Sequence, residues 1–353
     1  MSGFILGVDL ATARFELALA DPHFQILQRK TLKRAQFGKF CRELPPSLIV
    51  MEACSSAHYW ARNLQSWGHQ VRLLPALYVH AYVRRSKTDA ADAAALIEAT
   101  RCSEIRPVPV KTVEQQHLLQ LHRLREQYKR TRNARVNLLR SAFREFGVPL
   151  PTGLKHSIRA LSDLVHLAPN EMPKELTDIY GRVLEDIEQL QKKLKAVDAA
   201  LSHLTRTDPV VRGLVTICGV GPIIATAIRA SVGEIERFPT GRHFACWLGL
   251  TAREYSTGEH RRLGRISRRG DGYLRALLVN GARSALLAAN RFHASGDRPL
   301  DRLRTWALDI QHRRGMNLAT IALANKLARI IWATWRYERS FDGNWQSSAP
   351  NSE

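Results

Sequence analysis

The sequence predicts a mixed α/β domain at its N-terminal end, a helical middle and a mainly α-helical C-terminal region. Three observations predict it. Short apolar runs with tight connections open the chain and then alternate with helical stretches as far as residue 100. Between about 177 and 205, apolar residues recur every three or four positions. From Val211 onward the composition shifts to apolar helices interrupted by a basic, glycine-containing segment.

Residues 4–11 read as a strand apolar on both faces, and therefore central. Residues 14–20 alternate, with Phe15, Leu17 and Leu19 on one side, and Asp21-Pro22-His23 turns the chain into a third strand at 24–32. Connections this short require antiparallel neighbours. A helix at 35–44 ends before Pro45-Pro46, and a strand at 47–53, a helix at 57–67 and a strand at 70–74 follow. A further helix runs from about Thr88 to Thr100, with Thr88 a candidate N-cap. Three antiparallel strands followed by alternating helix and strand is the ribonuclease-H-like order. It places the first and fourth strands side by side and parallel.

A long polar helix spans 112–146, with Leu118, Leu121, Leu124, Tyr128, Val136, Leu139 and Phe143 as its apolar positions. Gly147 and Pro149 end it, and a Pro/Gly-containing connector leads to the helix at 177–205. There Leu184, Ile187, Leu190, Leu194, Val197, Leu201 and Leu204 have heptad-like spacing. That seam suits an intramolecular helical hairpin or a dimerising coiled coil. Gly219-Val-Gly221 opens an apolar helix and resembles the hairpin of a helix-hairpin-helix, where backbone N–H groups hold a phosphate. Helices are expected at 273–290 and 316–337, and a polar tail closes the chain.

Lys and Arg outnumber Asp and Glu 53 to 32, a formal net charge of +21 over 353 residues. An excess this large favours a polyanionic partner, nucleic acid before membrane. No apolar run reaches the roughly 18–20 residues of a spanning helix, and the N-terminus lacks the pattern of a signal peptide. Five widely spaced cysteines without a Cys-x-x-Cys pair point to a reducing cytoplasm, with neither a disulfide framework nor a zinc site. The 13 histidines are scattered, and most read as surface or nucleic-acid contacts.

Against that basic background, four carboxylates interrupt apolar structure: Asp9, Glu52, Asp89 and Asp92. An unpaired buried carboxylate is costly and needs a partner or a metal. Asp89 and Asp92, three apart, share a helix face and also suit the positive end of a helix dipole. Asp9, mid-strand among Ile, Leu and Val, has no such local explanation, and Glu52 closes a central strand. Oxygen-only donors suit Mg²⁺, which keeps waters and binds substrate phosphates.

The basic segment 250–270 carries Arg253, Arg261, Arg262, Arg265, Arg268 and Arg269 interleaved with glycine. These would neutralise phosphates and make binding salt-dependent. Ser256-Thr257-Gly258 within it is ordinarily a turn. A nucleophilic serine needs a base or metal, and none adjoins it in sequence.

Gly7-Val-Asp9, Glu52 and Lys87-Thr-Asp89-Ala-Ala-Asp92-Ala-Ala-Ala-Leu-Ile97 resemble the DEDD transposases of bacterial insertion sequences, in the family numbered one-ten. Gly219-Val-Gly221-Pro, Phe244-Ala-Cys-Trp-Leu-Gly-Leu250, Ser256-Thr-Gly258, Leu263-Gly-Arg-Ile-Ser-Arg-Arg-Gly-Asp271 and Tyr273-Leu-Arg275 resemble that family's second domain, most closely in its eleven-eleven subgroup. The resemblance implies a RuvC-like catalytic domain over 1–105, a coiled-coil linker over 106–208 and a transposase domain over 209–340, while the polar composition of 341–353 reads as a disordered tail. It implies that Asp9, Glu52, Asp89 and Asp92 bind Mg²⁺. It implies that a serine, at Ser256 here, attacks DNA and forms a covalent phosphoserine. The usual Ser-Ser-Gly-Gly reads Ser256-Thr-Gly-Glu259 in this chain, with Thr257 and Ser267 the other hydroxyls nearby. A non-coding bridge RNA would pair with donor and target DNA. Homodimers or tetramers, associated with the bacterial nucleoid, would share active sites between subunits. The alternative is a Mg²⁺-dependent RuvC-like nuclease or junction resolvase with water as nucleophile.

Overall fold

The structure, a computed structural model, describes residues 3–82, 89–166, 172–296 and 299–344, without the side chains of 89–91 and 164–166. The chain divides into two units, Met1–Val113 and Glu114–Glu353.

In the first unit, β1 (Ile5–Leu10), β2 (Arg14–Ala20) and β3 (Ile26–Lys33) run antiparallel to one another. α1 (Arg34–Glu43) leads to β4 (Leu48–Glu52), and α2 (Ala57–Ser66) leads to β5 (Gln70–Leu74). The five-stranded sheet has the order β3-β2-β1-β4-β5, with β4 parallel to both β1 and β5. A short α3 (Ala76–Val79) precedes α4 (Asp89–Thr100). Thr88, the expected cap of α4, lies outside the described residues.

Two cores sandwich the sheet because side chains alternate along each strand. Leu6, Val8, Phe15, Leu17, Ile49 and Met51 pack against α1 and α2 through Phe37, Trp60 and Leu64. Ile5, Ala18, Ala20, Leu48 and Val50 face the other way, against Ala93, Leu96 and Ile97 of α4. Gly7 is what lets α4 lie close to β1. A Cβ there would fall on the Ala93 carbonyl oxygen and within 2.9 Å of Ile97 Cγ1. Backbone oxygen cannot yield as a flexible side chain can. Gly7→Ala is therefore expected to destabilise the first unit by about 2–3 kcal/mol, measured as a lowered midpoint in urea.

The second unit begins with α5 (Val113–Glu145), α6 (Leu154–His166) and α7 (Lys174–Thr207). α6 occupies the segment expected to be a connector, and its buried Leu161 joins Val136, Leu139, Phe143, Leu184 and Ile187 in one core. Arg125 pairs with Asp198 at 2.6 Å and Arg135 with Asp186 at 2.9 Å, so α5 and α7 run antiparallel. The heptad-like seam of α7 is thus used within the chain, at least through Leu184 and Ile187.

The C-terminal core gathers α8 (Pro209–Leu214), α9 (Pro222–Val232), α10 (Gly241–Trp247), α11 (Gly272–Ser295), α12 (Arg302–Arg314) and α13 (Met316–Arg336). Gly219, with φ +81°, and Gly281 of α11 approach so closely that a Cβ on either would meet the other's carbonyl. Gly221 is the N-cap of α9 and is exposed. Phe341 packs on the core, its N–H donates to Thr216 Oγ1 at 3.1 Å, and Asn344 accepts from the Arg302 N–H at 3.3 Å. Residues 345–353 lie outside the described residues.

Not all histidines are at the surface. His122 of α5 is 2% exposed and ties α5 to α9 and α11. The Thr226 hydroxyl donates to the Pro222 carbonyl at 2.7 Å, so it accepts from His122 Nε2 at 3.1 Å. His122 Nδ1 is then left to accept from the Tyr273 hydroxyl at 3.0 Å. Burial, reinforced by the Arg125 charge, pushes the His122 pKa from 6.5 down to about 4. The unfolded chain therefore takes up this proton first as pH falls. The stabilisation from a neutral His122, about 3 kcal/mol, is complete above pH 6.5 and lost as pH falls towards 4. The midpoint in urea should fall across that window, and less steeply for His122→Gln. His58 of α2, depressed to about 4 by burial and by Lys111 and Arg62, adds the same trend in the first unit and is unchanged in that variant.

Candidate active site

Two groups of residues carry reactive chemistry, one in each unit. The first lies at the C-terminal ends of β1 and β4. The ladder between these parallel strands ends at Val8 and Met51, and Asp9 and Glu52 are the next residues on each. By alternation, Asp9 follows Ile5 and Gly7, and Glu52 follows Leu48 and Val50, onto the face covered by α4. Asp92 sits in the first turn of α4, beside the Ala93 carbonyl that lies over Gly7. Asp9, Glu52 and Asp92 are each half-buried. Asp92 Oδ1 is buried with no hydrogen-bond partner among the described residues. The side chain of Asp89 lies outside the described residues.

A further carboxylate belongs to this face. Glu16 of β2 stands directly opposite Asp9 in the antiparallel ladder, so the two share a face. Its Oε2 accepts from the Thr31 hydroxyl at 2.9 Å. Among the described residues no three His, Cys, Asp or Glu side chains are close enough to enclose a metal ion. The donor chemistry nevertheless fits one. The face offers oxygen donors, one carboxylate oxygen among them buried without a hydrogen-bond partner among the described residues, and hard divalent cations take oxygen ligands.

The second group is a hairpin formed by β6 (Ala252–Glu254) and β7 (Leu263–Ile266). At its tip Thr257 and His260 exchange backbone hydrogen bonds of 3.2 and 3.1 Å around Gly258-Glu259. Gly258 has φ +55° and Glu259 does not share it, as a two-residue turn with glycine first requires. Ser256, just before that turn, donates to Glu254 Oε1 at 2.7 Å and accepts from the Arg262 N–H at 3.2 Å. The carboxylate thus sits two residues upstream, on the same side of an extended chain. A reading confined to immediate neighbours misses it, and the two-residue strand spacing would have shown it. Arg261 pairs with Glu254 at 3.4 Å and fixes its orientation.

The hairpin arginines are exposed. Arg253 donates to the Ser267 carbonyl at 3.1 Å and ties the two strands. Arg262, Arg265, Arg268 and Arg269 have no carboxylate partner among the described residues, which leaves their charge for an external anion. Ser267 is turned to structure: its N–H donates to the Thr251 carbonyl, and its hydroxyl accepts from the Arg269 N–H at 3.4 Å. The root of the hairpin is pinned by Arg275 to the Leu248 carbonyl at 3.0 Å and by Asn325 to the Leu250 carbonyl at 3.1 Å.

An acidic sheet face in one unit and a serine–carboxylate pair among exposed arginines in the other have the chemistry expected of an enzyme that acts on a phosphodiester. Similarity to known proteins narrows the class. Residues 211–296 match the family described as "Transposase IS116/IS110/IS902 family", and residues 6–147 match the DEDD transposase family of IS110, described as "Transposase". A "Probable family 20 transposase" of Pseudomonas aeruginosa is 39% identical over 330 residues, covering 93% of this chain and 95% of its own. The "Transposase for insertion sequence element IS1111A" of Coxiella burnetii is 35% identical over 337 residues, 93% of this chain and 88% of its own. The "Transposase for insertion sequence element IS1328" of Yersinia enterocolitica is 34% identical over 333 residues, with 93% and 95% covered. The chain belongs to the IS110/IS116 family of insertion-sequence transposases. Among the described residues no helix is long and apolar enough to cross a membrane.

Proposed function

We propose that this transposase excises and integrates its element by serine attack on DNA, directed by a non-coding bridge RNA. The observation that carries the serine assignment is the 2.7 Å hydrogen bond from Ser256 to Glu254 beside unpaired arginines. In the proposed step Ser256 Oγ loses its proton to a nearby base, for which Glu254 is placed, and forms a bond to phosphorus. The P–O bond to the leaving deoxyribose oxygen breaks, and that oxygen leaves as a hydroxyl once protonated. The phosphoserine ester conserves the bond energy, so a second hydroxyl can reverse the step on a new strand. Arg262, Arg265, Arg268 and Arg269 hold the DNA backbone and offset charge on the phosphoryl oxygens.

Asp9, Glu52, Asp89 and Asp92 are the proposed holders of Mg²⁺, on a sheet we read as RuvC-like, with Glu16 adjoining. Bound there, the ion would stabilise negative charge on the phosphate oxygens. Gly219 and Gly221, in a helix-hairpin-helix-like turn, would add a backbone phosphate contact at the start of α9. The RNA would carry sequence choice, and a dimer or tetramer would supply serine and carboxylates from different subunits.

The test combines the full chain, DNA containing the element ends, Mg²⁺ and RNA transcribed from the element's non-coding flank. A detergent-resistant protein–DNA adduct whose formation needs that RNA is the expected result. Cleavage without an adduct would instead select the water-nucleophile nuclease. Replacing Arg262, Arg265, Arg268 and Arg269 together by alanine should weaken DNA binding at all sequences. It should also flatten the salt dependence by about 0.9 for each phosphate no longer neutralised, as read by fluorescence anisotropy.

A further inference from the structure

A cleft of about 890 Å³ opens between the start of α10, α12, α13 and the chain that follows α13. Much of its wall lies beyond the segments matched by the two families. α12 contributes Arg302 and Trp306, and α13 with its C-cap contributes Lys326, Arg329 and Tyr337. Lys326 Nζ stands 4.5 Å from the centre of the Trp306 ring. Arg302, Lys326 and Arg329 have no carboxylate partner among the described residues, and Asp342 is the one acidic residue among those lining the cleft. Burial, with the charges of Arg329 and Arg302, depresses the Lys326 pKa. Cations gathered against their mutual repulsion fit an anion that joins them. Tyr337, 58% exposed, lies three turns further along the same face of α13.

An anion that also carries flat aromatic groups matches both features, and nucleic acid is that anion. The cleft has the volume of a small-ligand site, too little for a duplex. Base–aromatic stacking beside a cationic track is how unpaired strands are held. DNA is the polyanion that a transposase handles, and strand cleavage exposes unpaired ends. Asn325, next to Lys326, holds the hairpin root, so cleft and hairpin are mounted on one helix.

We propose that this cleft binds a short unpaired DNA segment, its backbone along Arg302, Lys326 and Arg329 and its bases against Trp306 and Tyr337. The site is separate from the serine and the carboxylates, and needs neither metal nor RNA.

The test is anisotropy of a labelled oligothymidylate of ~8 nucleotides with the full chain in EDTA. Arg302→Glu with Arg329→Glu changes exposed side chains only, so the fold is expected to persist, and circular dichroism checks it. Binding should weaken tenfold or more, and Tyr337→Ala should weaken it by about fivefold or more. An unlabelled duplex of equal length should compete poorly in the wild type. Three results would overturn the proposal. One is unchanged affinity in both cleft variants. Another is a loss that appears only with Arg265→Ala and Arg268→Ala in the hairpin. The third is tighter binding of oligouridylate RNA than of DNA through the same cleft residues.

Discussion

Ser256→Ala is expected to abolish the protein–DNA adduct and reduce strand transfer by about 10⁴-fold or more, as loss of a nucleophile does. The substitution removes an exposed hydroxyl at the edge of a small hairpin, so the fold and DNA affinity should be unaffected. Thr257→Val and Ser267→Ala should still form the adduct. Thr257 is held at the turn by backbone hydrogen bonds, and the Ser267 hydroxyl is taken by the Arg269 N–H. Glu254→Gln tests the partner. It keeps a hydrogen-bond acceptor but cannot take the proton, and should slow adduct formation by about 10²-fold or more. An adduct formed at the normal rate by Ser256→Ala would remove the serine from the mechanism.

Asp92→Asn should have the other large effect. DNA cleavage in Mg²⁺ should be lost, because the replacement weakens a proposed oxygen donor. Adding Mg²⁺ should raise the wild-type unfolding midpoint through binding to the folded state, and raise it little in the variant. Thermal melts in EDTA and in MgCl₂ measure the response to Mg²⁺ without a DNA substrate. Wild-type cleavage by Asp92→Asn, with an unchanged response to Mg²⁺, would defeat the metal assignment.

The sheet was legible because alternation and connection length constrain it strongly. Phe15 and Leu17 face one core while Ala18 and Ala20 face the other, and the Asp21 turn forces the antiparallel return. α6 was hidden by flanking Pro151 and Gly153, although Leu154, Ile158 and Leu161 have helical spacing. α12 was hidden by its many arginines, since only Leu303 and Ala307 are fully buried. Glu16 and Glu254 were missed for a shared reason. Each gains its meaning from register, Glu16 across a ladder and Glu254 two residues along an extended chain, and composition does not encode register. His122 looked like one more scattered histidine in a polar helix. Its partners Thr226 and Tyr273 lie more than a hundred residues away.

The hairpin is anchored at its base and exposed at its tip. The Leu248 and Leu250 carbonyls fasten its base to the C-terminal core through Arg275 and Asn325, while at the turn a Cβ on Gly258 would meet nothing within 4 Å and Glu259 is exposed. An environment-sensitive dye on a cysteine substituted at Glu259 could therefore report docking of a target in real time without disturbing folding. The same exposure makes this fingertip a natural point for engineering, where an appended residue could change grip on a target while the Ser256 hydroxyl keeps its mounting.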